Sequence, residues 1–149
     1  MPGVISPENF PFSYVQNAAF DHLVAWIETG AAPPHGTPIQ IDTTTAPPHI
    51  VRDAQGNALG GVRTPFVDVP ITTYVPADGV GHATAFSGFC VLYGYNVPFD
   101  AARLQSLYRN HGDYVHQFAQ QSIGAVRDGF WLLPDAIQAI ERAARSRVP

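Results

Sequence analysis

The stretch Asp53-Ala-Gln-Gly-Asn-Ala-Leu-Gly-Gly-Val-Arg-Thr-Pro-Phe-Val-Asp-Val-Pro70 gathers polar residues, glycine and proline just ahead of the cleanest apolar alternation in the chain. Asp53 and Asn57 are turn residues, because their side chains bond nearby backbone, and Gly56 can take a positive φ that a Cβ resists. With Ile50-Val51 before the turn and Ala58-Leu59 after it, the segment predicts a short β-hairpin. Gly60-Gly61 then interrupts the second strand, which predicts a bulge or a point where another backbone passes too close for a side chain. From Phe66, the residues Val67, Val69, Ile71 and Thr73 share one parity, so an extended segment with one buried side is expected to Val75. Pro65 and Pro70 remove two amide donors and place that segment at a sheet edge or outside a regular sheet.

Working outward, the N-terminal flank reads as an irregular lead-in from Met1 to Pro11 followed by a helix. Ser13-Tyr-Val-Gln16 has the capping-box pattern, and Val15, Ala19, Leu23, Trp26 and Ile27 form one apolar stripe down to Thr29. Gly30 is placed to end the helix in a left-handed conformation, and Pro33-Pro34 prevents its resumption. Residues 35–48, rich in proline and threonine, read as a connector in which Ile39 and Ile41 form a short strand. On the C-terminal side, residues 77–82 are small, and 85–95 are apolar and aromatic, readable as strand or buried loop. Asp100 is expected to cap a helix over Ala101 to Tyr108, with Leu104, Leu107 and Tyr108 facing inward. Asn110-His-Gly112 breaks it. A second helix is expected from Asp113, its cap, with Val115, Phe118, Ser122 and Val126 on one side until Gly129. A third starts at Pro134, suited to a first helical turn, and shows Ile137, Ile140 and Ala144 inward. Its last turn carries Arg142 and Arg145, with Arg147 just beyond, at the negative end of the helix dipole.

The same elements carry a resemblance. Asp53-x-x-Gly56-Asn57-x-x-Gly60-Gly61-x-Arg63-x-Pro65-x-Val67-Asp68-Val69-Pro70 resembles the C-terminal signature of bacterial alpha/beta hydrolase domain-containing proteins, which are esterase-like enzymes. Tyr14-Val-Gln-Asn-Ala-Ala19, Leu23-x-x-Trp26, Gly30-x-x-Pro33-Pro34, Gly94, Pro98-Phe-Asp100 and Gly129-Phe-x-Leu-Leu-Pro134 are similar to that family in collinear order. The resemblance implies a C-terminal part of an alpha/beta-hydrolase-like domain, in which the catalytic machinery lies before the Tyr14 to Trp26 helix. The fold class expected is therefore an α+β or α/β fragment: connecting helix, short hairpin and extended edge segment, then three C-terminal helices.

Composition bounds the rest. A chain of 149 residues with 46% hydrophobic content supports one core, so residues 1–149 are read as a single domain. A formal charge of -4, with eight basic residues that are all scattered arginines, leaves no basic footprint for nucleic acid or an anionic membrane. No run reaches the roughly 18 apolar residues of a membrane span, and no export signal is evident, so the chain reads as soluble, cytoplasmic as written and secreted if it derives from a longer exported protein. Absent lysine with abundant alanine, proline and arginine suggests a high-GC bacterial source. A single cysteine, Cys90, allows no internal disulfide.

The chemistry-bearing residues are few. An alpha/beta hydrolase needs a serine in G-x-S-x-G on a strand-to-helix turn, and that motif is absent. Ser87 in Thr84-Ala-Phe-Ser-Gly88 is the serine weighed for the role, and it does not complete the motif. His111, Asp113, His116 and distant His82 could be assembled into a zinc site, but the two helix histidines stand five apart instead of four; a solvated helix start is the favoured reading, and no metal or other cofactor is expected. Cys90 sits among Phe89, Val91 and Leu92, where apolar burial keeps a thiol inert, so pairing with His82 is disfavoured. Phe86, Phe89, Tyr93 and Tyr95 could wall an apolar ligand site, with core packing favoured. Arg63 and Asp68 are the substrate-binding candidates: they either hold a substrate carboxylate or pair with each other and Asp53 to fix the loop, the second being favoured. No catalytic residue is assigned. The partners expected are a second copy of the chain or a missing N-terminal hydrolase segment, with a small ester as substrate when the enzyme is complete.

Overall fold

The computed structural model describes residues 10–75 and 95–148. In chain order these form α1 (Phe12–Thr29), β1 (Ile41–Asp42), β2 (His49–Ile50), α2 (Pro65–Asp68), β3 (Thr72–Val75), β4 (Tyr95–Pro98), α3 (Ala101–Leu107), α4 (His111–Arg127) and α5 (Leu133–Arg145). Among the described residues the mixture is thus α+β, with two small antiparallel sheets, β1-β2 and β3-β4. No described helix is long and apolar enough to cross a membrane.

The hairpin folds as its sequence dictates. Arg52 bridges Ala58, the Leu59 amide donates to the Val51 carbonyl, and Gly56 closes the turn at φ 83. The connector joins from the other side: Ile41 pairs with Ile50, and the Gln40 amide donates to the Leu59 carbonyl. Thr37 bridges Gly61, which brings residues 37–39 across Gly60-Gly61. Gly60 is left-handed at φ 80, and a Cβ there would fall onto the Pro38 carbonyl, so the close approach expected of the glycine pair is present.

The extended segment expected from Phe66 is corrected. Pro65–Asp68 is one helical turn, with Pro65 in its first positions, and only Thr72–Val75 is a strand, paired with β4. Proline's fixed φ suits the start of a helix, and amides of Val67, Asp68 and Val69 turn back onto Thr64 and Pro65 carbonyls. The turn aims Phe66 at the helices. Its ring stacks with Tyr14 at 5.9 Å, meets Phe118 edge-on at 5.2 Å and lies 5.8 Å from Trp131. These rings, with Val69, Tyr108 and Tyr114, form the centre of the core. Burial pushes the Tyr114 hydroxyl up to about 12.

The helices of the C-terminal half match expectation with two changes. Asp100 caps α3 by accepting from the Arg103 amide, and Tyr108 is buried, its hydroxyl donating to the Pro70 carbonyl. Helix α4 starts earlier than Asp113: Asn110 is its cap, accepting from the Asp113 amide at 2.9 Å. On α5 the inward stripe is Ala136, Ala139 and Ala143, whereas Ile137 is half exposed and Ala144 is exposed. Alanine wins the interior because α4 and α5 pack tightly together, and small side chains let the helices approach.

Helix α1 departs most from its reading. It begins at Phe12, so Ser13 lies inside the helix and the Ser13–Gln16 capping box is not made; Pro11 is the cap residue, with no side-chain bond. Gly30 ends it at φ 75, as its position predicts. Tyr14 and Ala18 are the buried residues, with Val15 packed against the core, while Ala19, Leu23, Trp26 and Ile27 of the expected inner stripe face outward. Polar links hold the inner side: His22 Nε2 donates to the Gly129 carbonyl at 2.7 Å, Asn17 donates to Asp135 at 2.9 Å, and Arg142 donates to the Tyr14 hydroxyl at 3.1 Å. The small inner face leaves a long apolar outer one.

Gly60→Ala is expected to lower stability by about 2–3 kcal/mol, since it combines left-handed strain with a backbone clash. Gly30→Ala, also left-handed but facing open space, is expected to cost about 1 kcal/mol. Urea unfolding of both variants checks the order; equal losses would contradict the close packing at Pro38.

Candidate functional site

The residues singled out by sequence converge on Arg63. Its Nε donates to Asp68 Oδ1 at 2.5 Å, its Nη2 to Asp53 Oδ2 at 2.8 Å, and its Nη1 to the Ala58 carbonyl. Burial alone would lower the guanidinium, but hydrogen bonds and charge from Asp68 and Asp53 together raise it. Only 23% of the Arg63 side chain and 18% of the Asp53 side chain are exposed, so the contacts are partly desolvated. The second oxygen of Asp53 accepts from the amides of Gln55 and Asn57, both at 2.9 Å, which shapes the hairpin turn. Arg63 therefore ties three places together: the hairpin turn, its returning strand and the α2 turn.

Asn57 extends this clasp to the sheet. Its side chain is 1% exposed, accepts from the Tyr74 amide at 2.8 Å and donates to the Thr72 carbonyl at 3.4 Å, replacing a strand partner along β3. Thr73 Oγ1 donates to the Gln55 carbonyl at 2.6 Å, and Arg103 of α3 reaches Gln55 Oε1 at 3.1 Å while lying 3.9 Å over the Phe99 ring. Arg63 and Asp68 thus pair with each other and with Asp53. Of the five N–H groups of Arg63, four donate to protein among the described residues, one of them to the Val67 carbonyl at 3.5 Å, which leaves a single N–H on Nη1.

The remaining candidates are scattered. His82, Ser87, Cys90, Phe86, Phe89 and Tyr93 lie outside the described residues, and Tyr95 begins β4. His111 directs Nδ1 at the Val148 carbonyl, 2.6 Å, and Nε2 at the Ala144 carbonyl, 3.1 Å, so both ring nitrogens are engaged. Asp113 accepts from the Arg109 guanidinium at 2.9 Å and from its amide at 3.0 Å, and His116 is exposed. Among the described residues no group of three or more His, Cys, Asp or Glu side chains gathers as metal ligands. The Arg109 hydrogen bond holds the Asp113 carboxyl well below the usual carboxylate range.

Two further arrangements were not singled out in the sequence. Ser122-Ile-Gly124 supplies half of a nucleophile-elbow pattern, but Ser122 is fully buried in mid-helix and its hydroxyl donates to the Phe118 carbonyl at 2.8 Å. A hydroxyl, an imidazole and a carboxylate also meet on the β1-β2 connection: Thr45 Oγ1 lies 2.8 Å from His49 Nδ1, and His49 Nε2 lies 3.9 Å from Asp42 Oδ2. The imidazole–carboxylate gap exceeds hydrogen-bond reach, the histidine side chain is 57% exposed, and the Thr45 hydroxyl also reaches the Pro47 carbonyl at 3.2 Å. A water-exposed surface turn does not activate a hydroxyl as a buried triad does. Its sequence signal, Asp42 to His49 across proline and threonine, is no more than loop composition.

A family model described as alpha/beta hydrolase domain matches residues 4–141 of the chain. No curated protein and no solved structure matches it.

Arg63→Met leaves Asp53 and Asp68 facing each other without their cation and is expected to destabilise by about 2–4 kcal/mol in urea unfolding. A loss within the error of a surface substitution would remove the clasp from the stabilising interactions. Asp113, with its folded pKa depressed below the ordinary carboxyl value of 3.8, contributes stability that is present above that value and lost as pH falls through the folded one. Asp113→Asn is therefore expected to flatten part of the acid limb of a stability-versus-pH curve; an unchanged limb would exclude the contribution.

Proposed function

The chain belongs to the alpha/beta hydrolase domain family, and from that premise we propose that it forms the supporting, pocket-shaping part of a serine-type ester or acyl hydrolase whose catalytic triad is not encoded here. The observation that carries the reading is a pairing of two facts. The family match extends over residues 4–141, yet no G-x-S-x-G occurs anywhere in the sequence. In such an enzyme the serine attacks the ester carbonyl, a histidine takes its proton, and backbone amides stabilise the oxyanion. These groups are supplied, in this reading, by polypeptide outside this sequence.

The role left to the chain is mechanical. A pocket wall must hold its geometry to within a fraction of an ångström, because misplacement of a bound ester relative to its nucleophile costs rate steeply. The Arg63 clasp, the Asn57 bridge and the aromatic cluster at Phe66 are the kind of cross-linked support such a wall needs. Arg63 and Asp68 enter the reading as positioning groups of that wall, and the substrate class is a small ester.

A second reading, a non-catalytic assembly module, is favoured by one observation, the apolar outer face of α1. Activity tests the first reading. The purified chain is expected to give no turnover of p-nitrophenyl acetate or butyrate above the buffer rate, and no covalent labelling by a fluorophosphonate serine reagent. Turnover abolished by that reagent would overturn the proposal.

A further inference from the structure

His111 opens α4, and its ring turns both nitrogens to the far end of the next helix. Nδ1 lies 2.6 Å from the Val148 carbonyl oxygen and Nε2 lies 3.1 Å from that of Ala144. Both partners are acceptors only. A neutral imidazole has one N–H and one lone pair, so it can donate to one carbonyl while its lone pair faces the other; an imidazolium donates to both. The carbonyls have a use for those donors. Ala144 lies in the last turn of α5, where carbonyls lack a partner within the helix, and Val148 lies beyond that helix on the tail. The Val148 side chain is buried in the core cluster, so the tail folds back onto the body of the protein.

The charges around the ring largely offset one another. On its own helix, Asp113 is held by the Arg109 guanidinium, and the Tyr114 ring lies 6.4 Å from the imidazole, its phenol pushed up to about 12 by burial and therefore neutral. From α5 come Glu141 and Arg145, paired with each other at 3.2 Å. Arg142, which donates to the Tyr14 hydroxyl, and Arg147 on the tail are exposed, where water and salt screen them. The N-terminus of α4 opposes a cation and the C-terminus of α5 attracts one, so the two helix dipoles act in opposite senses. The two carbonyls then decide the sign, and a charged donor serves them better than a neutral one.

We propose that His111 is a proton-operated latch: as imidazolium it fastens the last turn of α5 and the tail at Val148 to the start of α4, and as neutral imidazole it releases one of the two carbonyls. Folding then takes up a proton here, because the unfolded ring has no pair of carbonyls to serve. The stability the latch adds is present at low pH and lost as pH rises through the histidine range, around pH 6.5. That sense is opposite to the contribution of Asp113, which is lost on the acid side. The latch stands independently of the hydrolase reading, because it needs no catalytic group.

Urea unfolding of the intact chain and of His111→Gln at pH 5.5 and pH 8 tests it, since glutamine keeps a donor but cannot change charge. The parent is expected to be the more stable at pH 5.5, and its advantage in the unfolding constant to shrink on the order of tenfold by pH 8. His116→Gln, at an exposed position of the same helix, is expected to leave the pH dependence of the parent unchanged. Nuclear magnetic resonance of the parent reads the latch without a variant: the backbone of residues 146–148 is expected to become more mobile with the same midpoint at which the His111 ring loses its proton. An advantage over His111→Gln that is constant with pH or grows as pH rises overturns the proposal, as does a His116→Gln variant that removes the same dependence. A tail whose mobility ignores the titration of His111 overturns it as well.

Discussion

Arg63 is the residue on which the N-terminal half of the core depends. A guanidinium offers donors in a fixed planar fork, and here the fork is spread over two carboxylates and a carbonyl from three chain segments. The geometry leaves little freedom: the hairpin turn, the returning strand and the α2 turn must each stand where the fork points. A lysine would gather its three donors on one atom and could not reach three separated partners in this planar spread. Because the cluster is only partly exposed, separating its charges exposes each to incomplete solvation, and the arrangement resists loosening.

The clasp matters to the whole molecule through Phe66. Asp68 fixes the α2 turn to Arg63, and the same turn presents Phe66 to Tyr14, Phe118 and Trp131. Polar fixation on one side of a four-residue helix is thereby coupled to aromatic packing on the other. The hairpin, the first helix and the C-terminal helices are joined at this one short element, although none follows another closely in sequence. Asn57 provides the second junction, satisfying backbone groups of β3 with a side-chain amide.

Local chemistry was legible in the sequence; the choice between competing faces was not. Asp53, Gly56, Asn57, Gly30, Gly60 and the Asp100 cap act as their residue types demand, since each answers to backbone sterics or to an amide within a few residues. The run from Phe66 to Val75 alternates like a strand, but Pro65 and the pull of Arg63 on Asp68 close a helical turn first. Helix α1 is apolar on most of its circumference, so periodicity could not say which side the rest of the chain would cover, and Tyr14 won through its contacts with Phe66 and Trp131. Arg63 and Asp68 were legible as a pair, along with Asp53, because two acids and one arginine in a proline-bounded turn have few other ways to be satisfied.

The alanine seam of α5 has a consequence for how the surface can change over time. Ala136, Ala139 and Ala143 are the buried residues of α5, which packs on α4, and each brings no more than a methyl group to the core, so the depth at which α5 sits is set by backbone more than by interchangeable side chains. Any enlargement there must push a helix bodily, while Leu133 and Ile137 on the outside can be exchanged without moving anything. The exterior of this part of the molecule can therefore diverge and acquire new contacts while the frame beneath it keeps one fixed width.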